Sequence, residues 1–247
     1  MMLNEWLRGR SLRKEIQLWE IELEHSAATA AALAPILSGE ELDRASRFKF
    51  SRDRNRFVIC RSALRHILAE TLGVDPVNLR FVTGPHGKPR LANGSVSFNL
   101  SHSGARALIA LSHDGEIGVD IEEIRSMPDL HEVARRFFST REAQRLCALQ
   151  DPDAATRAFF ECWTRKEAFI KAIGEGLTHP LDSFEVTFFP DETAVLRIGA
   201  KQTNRWALVN IDGIEGYAAA LVFERLQEGQ DRRVVHRMWL PRVAGAG

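Results

Sequence analysis

Apolar Trp19, Ile21 and Leu23 alternate with Glu20, Glu22 and Glu24, the period of two that a strand with one buried face requires. The period then lengthens. Ser38 followed by Glu41 has the spacing of a capping box and predicts a short helix reaching about residue 50. Phe57, Cys60, Ala63, Leu64, Ile67, Leu68 and Leu72 recur at helical intervals. They predict a helix over 51–72 with Gly73 as its stop. Strands are expected over 79–83, 96–100, 106–112 and 117–121, set apart by turn signals that include Asn93-Gly94 and Asp114-Gly115. Pro128 breaks the chain before helices over 130–138 and 139–149, and Asp151-Pro152-Asp153 opens a long helix that Gly174 closes. Further strands are expected over 184–189, 194–198, 206–211 and 217–223. Residues beyond about 226 form a charged, glycine-ending extension with no expected element. Helices followed by strands, twice over, indicate an α+β fold rather than a regular doubly wound sheet. The residues themselves reveal no internal repeat.

A chain of 247 residues allows one large domain or two half-size lobes. A polar leader is expected over 1–15 and the charged extension over 226–247. Lys and Arg number 33, as do Asp and Glu, which excludes a generally basic nucleic-acid coat. With 45% hydrophobic and 27% charged residues, the composition is globular. No apolar run approaches the roughly 20 residues of a membrane span, and the charged N-terminus lacks a signal peptide's apolar stretch. Cys60, Cys147 and Cys162 show no metal or redox spacing and read as structural thiols of a cytoplasmic protein.

Two segments carry candidate chemistry. In Ile117-Gly118-Val119-Asp120-Ile121-Glu122 the three β-branched residues share one strand face, which leaves Asp120 and Glu122 on the other. Carboxylates about 6.6 Å apart along a strand repel unless they are solvated or bridged by a cation. Mg²⁺ is a natural bridge for such oxygens, and an exposed acidic surface is an equal alternative. In the long helix Trp163, Glu167 and Lys171 fall on one face, where Glu167 and Lys171 could equally be a routine surface pair.

Gly-Val-Asp-Ile-Glu at 118–122, followed by Trp-Thr-Arg-Lys-Glu-Ala-Phe-Ile-Lys at 163–171, resembles the paired signature of the 4′-phosphopantetheinyl transferases, in their longer Sfp type. The likeness extends through Gly87-Lys88-Pro89, the segment from Phe98 to Gly104, Gly174-Glu175-Gly176-Leu177 and the segment from Pro180 to Phe184. It therefore covers most of residues 38–224. Such a set in this order is highly specific.

The resemblance implies two similar lobes, over 1–115 and 116–225, in a pseudo-twofold arrangement with coenzyme A bound between them. It implies transfer of phosphopantetheine from coenzyme A to a serine of an apo acyl or peptidyl carrier protein, with release of 3′,5′-ADP. Asp120, Glu122 and Glu167 match the family's metal positions, for Mg²⁺ or Mn²⁺ in its place. Lys171 matches a phosphate-neutralising lysine, and Glu167 is a candidate base. Arg44, Arg56, Gly87, Lys88, Pro89, Ser101, His102 and Lys171 match coenzyme A contacts. Glu41 stands where many relatives carry a basic residue, Glu142 matches an acidic position of unassigned role, and Lys166 has a lesser claim to the phosphate role of Lys171, with simple solvation as the alternative. A monomer is expected, without nucleic-acid or membrane partners. Arg125, Met127 and Leu130 are offered to the carrier, with a packed linker as the alternative. Two other classes use the same residues: another Mg²⁺-dependent phosphotransfer enzyme, for which no Gly-rich P-loop is present, and a non-catalytic carrier-binding module.

Overall fold

The computed structural model describes residues 15–189, 192–199, 201–226 and 232–241. The expected leader over 1–15 lies outside the described residues except for Glu15. β1 (Glu15–Glu22) is covered on both faces. Trp19, Ile21 and Leu23 pack beneath the helices of the first half, as their alternation predicts, whereas Ile16 and Leu18 join a cluster between two sheets. An alanine-rich helix absent from the pattern, α1 (Ala27–Leu33), follows with Ser26 as its N-cap. Ser38 and Glu41 form the expected capping box of α2 (Gly39–Ser46), which ends short of residue 50. α3 (Ser51–Leu72) has its expected bounds and stops at Gly73, whose φ of 67° suits glycine.

The hairpin β2 (Phe81–Thr83) and β3 (Pro89–Leu91) precedes β4 (Ser97–Ser103) and β5 (Arg106–Ser112). β5 lies antiparallel between β1 and β4. The second half opens with β6 (Ile117–Glu123), then α4 (Leu130–Phe137), α5 (Thr140–Cys147) and α6 (Pro152–Ile173). The small sheet of β7 (Phe184–Val186), β8 (Leu196–Ile198) and β9 (Lys201–Gln202) comes next. β10 (Trp206–Asn210) and β11 (Tyr217–Glu224) then complete a sheet ordered β10-β11-β6, with β6 at its edge. Ile117, Val119 and Ile121 of β6 meet Ile16, Leu18 and Leu108 in the cluster between the sheets. The opposite face of β6 is thereby left to α6.

The expected structureless extension is corrected. Its residues Arg233–Trp239 form β12, parallel to β1 from Glu15 opposite Arg233 to Ile21 opposite Trp239. β12 thus completes the first half's sheet, and Trp239 enters that half's core. Among the described residues no helix is long and apolar enough to cross a membrane.

One device occurs in each half. The capping-box glutamate of a short helix turns inward and holds a cation buried on the following long helix. Glu41 accepts from Arg61 at 2.6 and 2.8 Å and from Arg65 at 2.7 Å, with Arg65 buried. Burial alone would raise the Glu41 carboxyl; the Ser38 amide and the two guanidiniums override it and hold it below its ordinary value. Glu142, capped by Ser139, pairs with Lys166 at 2.7 Å and accepts from the Val186 amide at 2.7 Å. Lys166 also donates to the carbonyls of Leu181 and Phe184 and is 0% exposed. Lys166 is therefore not solvated, and the acidic position of unassigned role is a structural anchor. A buried ammonium demands this: three hydrogens, three acceptors.

Candidate active site

Gly118 decides how the site assembles. A Cβ at this position would lie 2.1 Å from the Ala168 carbonyl oxygen and 2.3 Å from the Ala172 nitrogen. α6 therefore crosses β6 in direct backbone contact, an approach that only glycine permits. Glu167 and Lys171 flank that crossing, which brings them against the Asp120 and Glu122 face of the strand.

Asp120 is 2% exposed. Its Oδ1 accepts from Lys171 Nζ at 2.6 Å and from Ser101 Oγ at 2.7 Å, and Lys171 also donates to Ser101 Oγ at 2.9 Å. Ser103 Oγ donates to Glu122 Oε2 at 2.8 Å. Asp120 Oδ2 and Glu167 Oε1 are buried, with no hydrogen-bond partner among the described residues. Desolvation first, then the charge of Asp120, pushes the Glu167 carboxyl up to about 6, with Glu122 adding to the effect and Lys171 opposing it. Desolvation likewise raises Glu122, against the Ser103 hydrogen bond. Three carboxylates thus face one ammonium, two of their oxygens unsatisfied. That all-oxygen donor set suits a hard divalent cation. Among the described residues, however, no three ligand side chains already stand as a closed metal cage; Lys171 holds Asp120 instead.

These groups form the floor of a cleft of about 670 Å³. Phe137, Trp163, Pro180 and Leu181 line it on an apolar side. Trp163 is held there by stacking on Phe159 at 5.9 Å and meeting the edge of Phe137 at 6.3 Å. His102 stands at the rim. Desolvation, then the charges of Lys171, Arg44 and Arg56, hold its imidazole below the ordinary value. Lys171 lines the cleft with His102, while Arg44 and Arg56 act on the imidazole from outside its lining.

The family model described as the 4′-phosphopantetheinyl transferase superfamily matches residues 116–222. A second, described as the N-terminal part of a 4′-phosphopantetheinyl transferase, matches residues 22–114. The 4′-phosphopantetheinyl transferase HetI of Nostoc sp. is 38% identical over 85% of this chain and 88% of its own length. The 4′-phosphopantetheinyl transferase Sfp of Bacillus subtilis is 36% identical over 63% of this chain and 68% of its own. The chain belongs to the 4′-phosphopantetheinyl transferase superfamily. A solved holo-(acyl-carrier-protein) synthase of Bacillus anthracis is 21% identical, covering 44% of this chain and 94% of its own, with a TM-score of 0.35. So slight a likeness carries no argument.

Against the signature of the transferases, the structure gathers Ser101, His102, Asp120, Glu122, Glu167 and Lys171 around one cleft. It places the others elsewhere. Lys88 spends all three ammonium hydrogens on Glu116 Oε2 at 2.8 Å and the carbonyls of Ile117 and Ala172 at 3.0 and 3.1 Å. It ties the Gly87–Pro89 turn to β6 and α6, so the ammonium assigned to coenzyme A is committed to the fold. Arg56 holds Glu24, with Nε at 2.9 Å, and Arg44 lies over the Phe57 ring. Glu41 is taken up as the Arg61–Arg65 anchor.

The proposed carrier stretch divides as well. Leu130 is 7% exposed and belongs to the second core, and Met127 packs against it, whereas Arg125 stays exposed. Pattern reasoning missed Arg136, Phe137 and Asp182 as cleft residues. A helix end and a loop bring them in, and no local period marks them.

Proposed function

We propose that this cleft transfers phosphopantetheine from coenzyme A to a serine hydroxyl of an apo acyl or peptidyl carrier protein and releases 3′,5′-ADP. The observation that carries the proposal is the meeting of Asp120, Glu122, Glu167 and Lys171 with Ser101 and His102 around one cleft. The serine oxygen forms the new bond to the phosphorus bearing pantetheine as the bond to the leaving 3′,5′-ADP breaks. The serine proton leaves through a base. Asp120, Glu122 and Glu167 would hold Mg²⁺, or Mn²⁺; bound there, the ion neutralises pyrophosphate charge and that of the departing oxygen. Lys171 neutralises a phosphoryl oxygen. His102, Ser101, Arg44 and Arg56 orient the nucleotide phosphates, and Gly87 and Pro89 present backbone to the same ligand. Glu167, raised to about 6, suits proton acceptance near neutrality. A carboxylate sharing a cation is a weak base, so its ligand role ranks first.

The reading of two pseudo-twofold lobes, divided near Gly115, is supported by the internal order of the elements. β1, β5 and β4 neighbour one another as β6, β11 and β10 do, and α2–α3 match α5–α6 down to the glutamate anchors. One copy of the chain supplies every group named, which agrees with a monomer.

The test is mass spectrometry of several apo carriers incubated with the purified protein, coenzyme A and Mg²⁺. A gain of one phosphopantetheine with stoichiometric 3′,5′-ADP is expected, and EDTA abolishes both. Release of ADP or pyrophosphate, or no modified carrier in any incubation, overturns the proposal. The same screen identifies the preferred carrier class among fatty-acid, polyketide and nonribosomal peptide carriers.

A further inference from the structure

Among the described residues the outer edge of β6 pairs with no strand; β4 runs beside it and supplies side chains in place of a backbone ladder. The Val119 amide donates to Asn99 Oδ1 at 2.9 Å and the Glu123 amide to Ser103 Oγ at 3.1 Å. Between these ties, Ser101 Oγ donates to Asp120 Oδ1 and Ser103 Oγ to Glu122 Oε2. Residues 99, 101 and 103 share one face of β4, so the first half's sheet reaches the acidic strand at every second residue. Backbone edges left unpaired in a buried place demand such partners.

A hydroxyl has a single hydrogen. Because Ser103 Oγ already accepts from the Glu123 amide, that hydrogen is free only to donate, and it is aimed at Glu122. Glu122 is partly exposed at the cleft and, apart from this hydroxyl, no hydrogen-bond donor to it is found among the described residues. We infer that Ser103 is a positioning residue: its hydroxyl, locked by the Glu123 amide, fixes the rotamer in which Glu122 offers its carboxylate to a divalent cation. This rests on the metal reading of Asp120, Glu122 and Glu167. Partners that orient ligand side chains commonly govern metal affinity by about 10–100-fold.

The test is titration of Mn²⁺, with free ion followed by electron paramagnetic resonance, into wild type, Asp120→Ala, Ser103→Ala, Ser103→Cys and Ser103→Thr, each with coenzyme A present. Ser103→Ala and Ser103→Cys should weaken Mn²⁺ binding by about tenfold or more. They should raise the Mg²⁺ concentration for half-maximal turnover by a similar factor, while the KM for coenzyme A at saturating Mg²⁺ stays constant. Ser103→Thr, which keeps the oxygen, should return binding to near wild type. The size-matched Cys variant covers the event that Ser103→Ala fails to fold, which its thermal midpoint reports. Wild-type Mn²⁺ affinity in Ser103→Ala or Ser103→Cys, beside an Asp120→Ala variant that has lost it, overturns the inference and leaves the metal reading standing. Equal Mn²⁺ binding by wild type and Asp120→Ala, or none by either, overturns both.

Discussion

Asp120 shows how far a residue's role can depart from its sequence context. Alternation on a strand leaves its face open to water as readily as to a partner, yet α6 covers that face and the side chain is 2% exposed. It is held by Lys171 and Ser101. Asp120→Asn keeps the shape and removes the charge, so transfer should be lost while stability to urea changes little, because loss of the Lys171 pair is offset by relief of the repulsion Asp120 exerts on Glu167 and Glu122, and Lys171 still reaches solvent. Collapse of the fold would contradict this assignment. His102 carries a second prediction. Its folded, ligand-free pKa lies below the ordinary 6.5 because of desolvation and the charges of Lys171, Arg44 and Arg56. A phosphate dianion set among those cations moves it upward. Binding of coenzyme A should therefore take up protons around and below pH 6.5, as calorimetry in buffers of different ionisation enthalpy would register. His102→Ala should lower that uptake and raise the KM for coenzyme A with little change in kcat, since a remote phosphate contact is made equally before and during reaction. Unchanged proton uptake would remove His102 from the phosphate site.

At the scale of elements, the α6–β6 crossing is the arrangement on which the chemistry depends. Helix and strand each carry half of the candidate machinery, and Gly118 sets their separation. Gly118→Ala places a methyl group against the Ala168 carbonyl and the Ala172 nitrogen, both backbone atoms that cannot rotate aside. The expected loss is about 1–3 kcal/mol of stability by calorimetry. Turnover should fall further than stability explains, because shifting α6 outward carries Glu167 and Lys171 away from Asp120. Full activity in a stable Gly118→Ala protein would show that the crossing has room to spare. The two glutamate anchors hold the long helices from their buried side. Their cost in desolvation is met by complete hydrogen bonding, so removal of either partner, rather than the pair, is the damaging change.

For the whole molecule, the cleft draws on both halves: β4 brings Ser101 and His102, and β6 with α6 brings the acidic groups. A carrier must present its serine at that mouth. Leu130 and Met127 are engaged in the second core, which leaves Arg125 as the exposed member of its stretch. With an acidic carrier helix as partner, Arg125→Glu should raise the KM for apo carrier several-fold, most strongly at low salt, and leave coenzyme A affinity and the thermal midpoint unchanged. An unchanged carrier KM at low salt would place the docking surface elsewhere.

Local pattern by itself determined the elements whose stabilising interactions lie within a few residues. The bounds of α3, the capping box at Ser38, and the stops at Gly73 and Gly174 were all legible, because caps and helical stripes are properties of neighbouring residues. The ordered motifs likewise marked Asp120, Glu122, Glu167, Lys171 and His102, which the structure brings to one cleft. Other features depended on partners distant in the chain. β12 carries no alternation strong enough to mark it and exists as a strand through β1, at the other end of the described chain. Lys88 and Lys166 are alike by composition to any solvated lysine; burial among carbonyls and a carboxylate makes them structural. Glu41 with Arg65 and Glu142 with Lys166 make the same kind of contact through different cations, because a buried carboxylate can be satisfied by either. Which carboxylates meet, and which hydroxyl orients them, followed only when α6 closed over Gly118 and β4 lay along the open edge of β6.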